Sequence, residues 1–403
     1  MQIFDELKKR GIIAQATNED KVKYLIDNGK LVFYLGCDPT ADSLHAGHLI
    51  QLMLMSRLQR NGHSAICLLG GGTGFIGDPS GKNSMRKLMQ KEQIEHNVKC
   101  FQRQMSKFLD VSSVRFVNNA DWLCNLNYIE FLREIGIFFN VNKMLAAECY
   151  KQRLDEGLTF LELNYMIMQG YDFLYLHNEF GCSLQIGGND QWSNMIAGVE
   201  LIRKKTQDEA FGLTTNLLTN SEGKKMGKTA NGALWLDPEK TSPYEFYQYW
   251  RNVADSDVIN CVKLLTEIDL NTISEFEKLQ GQQINEVKEI LAFEVTKTVH
   301  GKSEAEKVRE ISKQIFVSGD SSTDVPVKYV NSTDVEVEIS VVDLIFKAGL
   351  VPSKSEARRL VEQQGISVDG HLSNLDSVIS KDLLKTGVIL KKGKKTYVRI
   401  CLK

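Results

Sequence analysis

Up to about residue 220 the chain alternates short apolar runs with longer amphipathic stretches, and few folds accept that pattern. Runs at 31–35, 65–69, 114–117 and 183–186 have the length and side chains of strands. Stretches at 48–60, 87–109, 128–139, 160–176 and 194–204 repeat their apolar positions at helical spacing. Such alternation predicts an α/β fold, a parallel sheet covered by helices. In that architecture a ligand lies beyond the carboxyl ends of the strands, where strand order reverses. The unusual polar and glycine clusters of this chain all follow predicted strands.

A turn at Asp38-Pro39-Thr40 follows the first run, and His45-Ala46-Gly47-His48 then opens the stretch 49–60, which Gly62 closes. The two histidines fall in the first turn of a helix and share one face. At that end the helix dipole and free N–H groups favour an anion. Much later, Gly223-Lys224-Lys225-Met226-Gly227-Lys228-Thr229 sets lysines and a threonine among glycines. Lysines act as mobile point charges for phosphate, and glycines let the backbone approach a ligand. Alone, the first motif is as readily a polar helix start and the second a solvated turn. Together, at the first strand–helix junction and past the last strand of the same half, they describe a site that surrounds the phosphates of ATP with positive charge and donors.

Three further clusters belong with them. Gly70-Gly71-Gly72-Thr73-Gly74 and Gly77-Asp78-Pro79-Ser80-Gly81-Lys82 place six glycines in twelve residues, which suggests a backbone packed against a ligand or, as readily, a glycine-rich turn with none. No Walker loop can be read there, because Gly81-Lys82 is followed by Asn83. Lys82 and Arg86 on this polar loop could add charge to a leaving phosphate. In the stretch 160–176, Tyr165, Gln169 and Asp172 share one helix face amid apolar neighbours. A buried polar stripe must find partners, either in an internal network or in a ligand. Gln185, Gly187, Gly188, Asp190 and Gln191 follow the next strand and suit a ribose or an amino-acid backbone, or else a plain glycine turn.

At 403 residues two or three domains are expected. Net charge is −2, yet residues 381–403 carry eight Lys or Arg against one acid, Asp382, a local surface suited to nucleic acid or phosphate. The eight cysteines include no C-x-x-C pair, which argues against a zinc site or a disulfide framework and fits a reducing compartment. The first ten residues read as an amphipathic helix, and no apolar run approaches membrane-spanning length. A cytoplasmic location is expected. From 243 to about 319 helical periodicity dominates, with stretches at 244–253, 257–265, 284–299 and 303–317. A polar linker is expected at 318–327, then helices at 341–348 and 353–363, then short strands.

Carried by these motifs, the chain resembles the tyrosyl-tRNA synthetases of bacterial and organellar type, within the class I aminoacyl-tRNA synthetases, essentially end to end. His45-Ala46-Gly47-His48 resembles the family's HIGH element with Ala46 in place of isoleucine. Lys225-Met226-Gly227-Lys228-Thr229 resembles its KMSKS element in a glycine–threonine form. The resemblance implies a Rossmann-like catalytic domain over 1–220, with a helical dimer-interface insertion at about 120–155. It implies the lysine loop and an α-helical anticodon-arm domain over 221–320, and a small α+β RNA-binding domain over 338–403 like one in a ribosomal protein.

The implied reaction activates L-tyrosine with ATP to tyrosyl-adenylate and pyrophosphate, then transfers tyrosine to the 3′-terminal ribose of its tRNA. Thr40, His45, His48, Lys82, Arg86, Lys225, Lys228 and Thr229 would serve the phosphates. Tyr34 and Asp172 would bond the phenol, and Asp78, Tyr165, Gln169 and Gln185 would complete the tyrosine site. Gly36, Asp38, Gly47, Gly188, Asp190 and Gln191, with Lys228, would line the ATP and adenylate site; Leu35 and Gln51 depart from well-known relatives near the ribose. Lys354, Arg358 and Arg359 would contact tRNA. Mg2+ would come with ATP, no protein-bound metal is expected, and the helix at 128–139 would form a homodimer. A tryptophanyl enzyme and a non-catalytic RNA-binding or splicing protein on the same scaffold are the rival readings. The pair Tyr34 and Asp172 argues against the first, and the retained histidines and lysines against the second.

Overall fold

Six strands form the central sheet: β1 (Ile13–Ala16), β2 (Val32–Cys37), β3 (Ser64–Leu69), β4 (Val114–Asn118), β5 (Cys182–Gly188) and β6 (Phe211–Thr215). A computed structural model describes residues 1–80, 86, 88–154, 157–229, 232–318, 327–393 and 396–403. The sheet order is β1-β6-β5-β2-β3-β4, with every pair parallel except the β1–β6 edge. Strand order therefore reverses between β2 and β5, and the chain leaves both strands beside one crevice.

The four strands expected from apolar runs are the middle ones and β4; β1 and β6 were not expected. β1 is half-buried along its length and shows no alternation. β6 is fully buried but reads Phe-Gly-Leu-Thr-Thr. Its hydroxyls are satisfied inside, Thr214 Oγ1 donating to Asn189 Oδ1 at 3.1 Å and Thr215 Oγ1 to the Gly187 carbonyl at 3.4 Å. Buried polar groups with partners cost little, which is how a strand can hide from a hydropathy pattern.

Four helices position the site: α1 (Leu49–Arg60), α2 (Phe160–Phe180), α3 (Trp192–Thr206) and α4 (Asp255–Leu265). α2 starts at a capping box, Thr159 accepting from the Glu162 N–H while the Glu162 carboxylate accepts from the Thr159 N–H. It ends at Gly181, whose φ of 64° is the left-handed conformation that glycine adopts freely. The stretch expected as one helix over 87–109 is helical at Lys91–Met105. The one expected over 128–139 is a helix only at Tyr128–Glu134, followed by a tighter turn at Gly136–Phe138.

The chain divides into two compact units, residues 1–240 with 254–287 and residues 241–253 with 288–403. The segment 221–320 is thus shared between units: α4 and Leu270–Phe276 lie in the first, Pro243–Arg251 and Lys302–Ser318 in the second. The second unit ends in a five-stranded sheet over a core that includes Leu344, Ile345, Leu384 and Ile400, flanked by helices Val341–Lys347 and Lys354–Glu362. Most of the expected linker, 319–326, lies outside the described residues. Among the described residues no helix is long and apolar enough to cross a membrane.

α2 and α3 touch through glycines. A Cβ on Gly170 would lie 3.6 Å from the Gly198 Cα, and one on Gly198 would lie 3.1 and 3.2 Å from Cδ1 and Cβ of Phe173. Alanine at a helix interior ordinarily gains about 1 kcal/mol over glycine. Here the new methyl meets a Cβ that cannot swing away, and overpacking of that kind costs about 1–3 kcal/mol. We expect Gly198→Ala to lower stability in urea unfolding; a rise would show that the two helices are not held this close.

Candidate active site

A cavity of about 480 Å3 opens at the carboxyl ends of β2 and β5. It is lined by Tyr34, Gly36, Asp38, Thr40, His45, Gly47, His48, Asp78, Arg86, Tyr165, Gln169, Asp172, Gln185, Gly188, Asp190, Gln191, Lys225 and Lys228. Leu35 and Gln51 line it as well. Lys82 lies outside the described residues, and so does the side chain of Thr229, whose backbone pairs with Gly232 in a short hairpin. Lys354, Arg358 and Arg359 are on the Lys354–Glu362 helix of the other unit; Lys354 pairs with Asp343 at 2.5 Å, while the two arginines are exposed.

The floor is a buried polar network. Asp172 accepts from Asn119 Nδ2 and from Trp122 Nε1, each at 2.8 Å. Asn119 also donates to Thr73 Oγ1 at 3.0 Å and accepts the Gly72 N–H at 2.7 Å. Thr73 donates to Asp38 Oδ1 at 2.6 Å, and Tyr165 Oη donates to Asp38 Oδ2 at 2.8 Å. Burial pushes the Asp172 carboxyl up to about 7 against the pull of its two donors, and Asp38 up to about 6. Burial likewise raises Asp78, which accepts from the Ser80 N–H and from Gln191 Nε2.

Sequence reasoning missed Thr73, Asn119 and Trp122. Asn119 directly follows β4, where the strand-end rule places site residues, and Thr73 is the one hydroxyl inside the glycine run Gly70–Gly74. Those glycines also make room inside the protein, and Gly70 lines the cavity as well. A Cβ at Gly70 would lie 2.1 Å from Asp38 Oδ1, and one at Gly71 would lie 2.2 Å from Asn118 Oδ1. The run makes room first for the protein's own polar side chains.

Among the described residues, three buried atoms of the cavity lining have no hydrogen-bond partner: Tyr34 Oη, Gln169 Oε1 and Gln185 Oε1. Leaving such an atom unpaired costs about 1–3 kcal/mol. Burial and the neighbouring Asp172 push the Tyr34 phenol well above its ordinary range, so it stays a neutral donor.

At the mouth the two sequence motifs meet. The Ala46 N–H donates to the Leu234 carbonyl at 2.8 Å, and the Leu234 N–H to the Gly227 carbonyl at 2.8 Å. Gly227, with φ 82°, packs so closely that a Cβ would lie 3.0 Å from that of Ala46. Lys225 Nζ stands 3.5 Å from Asp190 Oδ2, and Lys228 is exposed at the rim.

The free N–H groups expected here are taken: Gly47 donates to His45 Nδ1, His48 to the His45 carbonyl, and Leu49 to the Ala46 carbonyl. The His45 N–H in turn donates to His48 Nδ1 at 3.1 Å. His45 Nδ1 thus acts as an acceptor, while His48 Nδ1 lies within reach of both the His45 N–H and, at 3.2 Å, the His45 carbonyl. Burial and the neighbouring His45 hold His48 down to about 3. His48 is thus a neutral donor, and the site's positive charge comes from Arg86, Lys225 and Lys228.

The profile described as "tRNA synthetases class I (W and Y)" matches residues 27–317, and "Tyrosine--tRNA ligase SYY-like C-terminal domain" matches 321–400. The tyrosine–tRNA ligase of Acetivibrio thermocellus is 53% identical over 99% of both chains. That of Clostridium kluyveri is 53% identical over 100% of this chain and 99% of its own. A C-terminally truncated mitochondrial tyrosyl-tRNA synthetase from Aspergillus nidulans superposes with TM-score 0.70 at 27% identity, over 78% of this chain and 94% of its own. A tryptophanyl-tRNA synthetase from Encephalitozoon cuniculi, at TM-score 0.58 and 14% identity over 76% of this chain and 87% of its own, shares the fold alone.

The raised carboxyls make stability depend on pH in a defined direction. Asp172 binds its proton more tightly folded than unfolded, so its contribution is full below about pH 4 and is lost as pH rises toward 7. His48 works the other way, its contribution being full above 6.5 and lost as pH falls toward 3. In the ligand-free protein, Asp172→Asn should flatten the loss of stability between about pH 4 and 7, read from urea midpoints across that window. An unchanged slope would mean that Asp172 titrates normally.

Proposed function

From its membership of the tyrosine–tRNA ligase family of class I aminoacyl-tRNA synthetases, which use ATP to join tyrosine to tRNA, we propose how this chain divides that reaction among its residues. The three unpartnered buried atoms beside Asp172 carry the proposal. A substrate phenol accepts from Tyr34 Oη and donates to Asp172. Asp78, Tyr165 and Gln169 hold its ammonium, and Gln185 supplies a further acceptor beside it. An indole cannot accept from Tyr34, which favours tyrosine over tryptophan.

The tyrosine carboxylate attacks the α-phosphorus of ATP; the new oxygen–phosphorus bond forms as the bond to the bridging oxygen breaks, and pyrophosphate leaves. His45 and His48, with Thr40, donate to phosphate oxygens. Arg86, Lys225 and Lys228 supply the positive charge, and Lys82 and Thr229 belong to the same loops. These groups matter most where charge builds up, on the pentacoordinate phosphorus and the leaving pyrophosphate. Gly36, Asp38, Gly47, Gly188, Asp190 and Gln191 surround the adenylate, and Mg2+ arrives with ATP on its phosphate oxygens. The adenylate is then captured by the terminal ribose hydroxyl of tRNA.

The remaining expectations join this reading. Residues 1–220 form the catalytic part, 221–320 the lysine loop and anticodon-arm part, and 338–403 the RNA-binding part, where exposed Arg358 and Arg359, with Lys354, bind phosphates in a salt-dependent way. Tyr128, Ile129 and Ile137 are 58%, 68% and 77% exposed, an apolar display that suits a homodimer face. The reaction belongs in the cytoplasm, where thiols such as the eight here stay reduced.

Two results would test the assignments. Tyr34→Phe removes a hydroxyl that bonds nothing in the free protein, so stability should hold. Tyrosine-dependent pyrophosphate exchange should fall about tenfold in kcat/KM, the worth of one hydrogen bond, while phenylalanine gains relative to tyrosine. Unchanged selectivity would remove Tyr34 from the pocket. Lys228→Ala should slow activation by about 10²-fold with little change in tyrosine affinity, as expected for a donor used only in the transition state. Equal losses in both would place Lys228 in ground-state binding instead.

A further inference from the structure

We propose that Asp257 is a positioning residue for the activation step, one that sets the lysine hairpin at its height above His45 and His48. The hairpin is built by residues 218–226. The Met226 N–H donates to the Leu218 carbonyl at 2.8 Å, the Asn220 N–H to the Lys224 carbonyl at 2.9 Å, and the Gly223 N–H to the Asn220 carbonyl at 2.9 Å. Asn220 Oδ1 accepts from the N–H groups of Glu222 and Lys224 and ties off the tip. An isolated two-stranded hairpin is marginal in water, so something outside must hold it.

That support is α4. Asp257, 6% exposed, accepts the Ser221 N–H on Oδ1 at 2.8 Å. Beside it Ser256 Oγ lies 3.1 Å from Ser221 Oγ. One helical turn further on, on the same face, Cys261 Sγ lies 3.9 Å from Met226 Sδ. Both ends of the hairpin thus rest on one face of one helix.

The far end of α4 is fixed as firmly. Arg10 donates to the Ile268 carbonyl at 2.7 Å and, at 3.4 Å, to the carbonyls of Lys263 and Thr266. Arg57 donates to the Thr266 carbonyl at 2.5 Å and to Glu267 at 3.1 Å. Guanidiniums at a helix C-terminus satisfy its unpaired carbonyls and complement its dipole. Arg57 sits in the last turn of α1, the helix that His48 leads into. α1 and α4 are therefore joined at one end, while at the other α1 begins at the histidines and α4 carries the lysines. A helix of this length is a strut of about 16 Å, and Asp257 is the point where it bears on the hairpin.

Asp257 touches none of the residues that line the tyrosine pocket, so its loss should change the rate of adenylate formation and not tyrosine binding. The inference rests on the role given above to Lys228, and Lys228→Ala alone tests that role. Single-turnover adenylate formation and the tyrosine Kd would be measured for Asp257→Ala, Asp257→Asn, Ser221→Pro and the double variant Asp257→Ala with Lys228→Ala. Asp257→Ala should slow adenylate formation about tenfold with the tyrosine Kd unchanged. Asp257→Asn should restore most of the rate, because its amide oxygen still accepts the Ser221 N–H.

Ser221 is the second residue of a turn from Asn220 to Gly223, a position where proline is well tolerated and where it removes the N–H together with the hydroxyl beside Ser256. Ser221→Pro should therefore reproduce the tenfold loss with α4 untouched. On the Lys228→Ala background, Asp257→Ala should add less than about twofold, since residues acting as a unit are not additive. A wild-type rate for Asp257→Ala and Ser221→Pro, a parallel loss of tyrosine affinity, or fully multiplicative losses in the double variant would each overturn the inference. An active Lys228→Ala would remove the reading on which it rests.

Discussion

The site depends on one buried carboxylate held in place before any substrate arrives. Asp172 lies on the interior face of α2 and is fixed by two donors, Asn119 and Trp122, which leave it lone pairs to spare. An ionised carboxylate at that depth is costly, and the cost shows in its raised pKa. The protein tolerates it because the neighbours are satisfied: Asn119 donates to Thr73, Thr73 donates to Asp38, and Tyr165 donates to Asp38 from the other side. The glycines after β3 exist in this fold to let that network through. Tyr34 completes the arrangement with a hydroxyl that nothing in the protein bonds. On the proposed reading, the pair of Tyr34 and Asp172 selects a phenol and penalises any ring that lacks the hydroxyl.

The phosphate end follows a different logic. His45 Nδ1 accepts the Gly47 N–H while His48 Nδ1 sits against the His45 backbone, and burial keeps His48 neutral. Positive charge is kept on longer side chains at the rim, where water screens it until a phosphate displaces the water. The chain crossing at Leu234 ties the histidine turn to Gly227, so the two halves of the mouth share a backbone connection as well as a function. In the proposed division of labour, a buried floor of bonded carboxylates chooses the amino acid, and cationic side chains at the rim act on the phosphates.

Much of this was legible in the residues themselves. The apolar runs located four of the six strands, and eighteen of the residues named from the motifs and the family resemblance line one cavity. What escaped notice shares a physical cause. β6, Thr73 and Asn119 are polar groups satisfied in the interior, and periodicity treats polarity as exposure. The glycine run has a second use that spacing does not show: Gly70 lines the cavity, and the run also gives room to Asp38 and Asn118. Helix boundaries near 109 and 139 were overextended because amphipathic spacing continued past the point where the chain turned. The neutrality of His48 could not be read from spacing at all, since it arises from burial and from His45 beside it.

The account stands most directly on where the phenol of bound tyrosine lies, and a crystal structure of the tyrosine complex measures that. The phenol oxygen should sit within hydrogen-bond distance of both Tyr34 Oη and the Asp172 carboxylate, with Asn119 and Trp122 unmoved and the ammonium toward Asp78 and Gln169. A tyrosine ring elsewhere in the cavity, or a phenol oxygen bonded to neither Tyr34 nor Asp172, would contradict it.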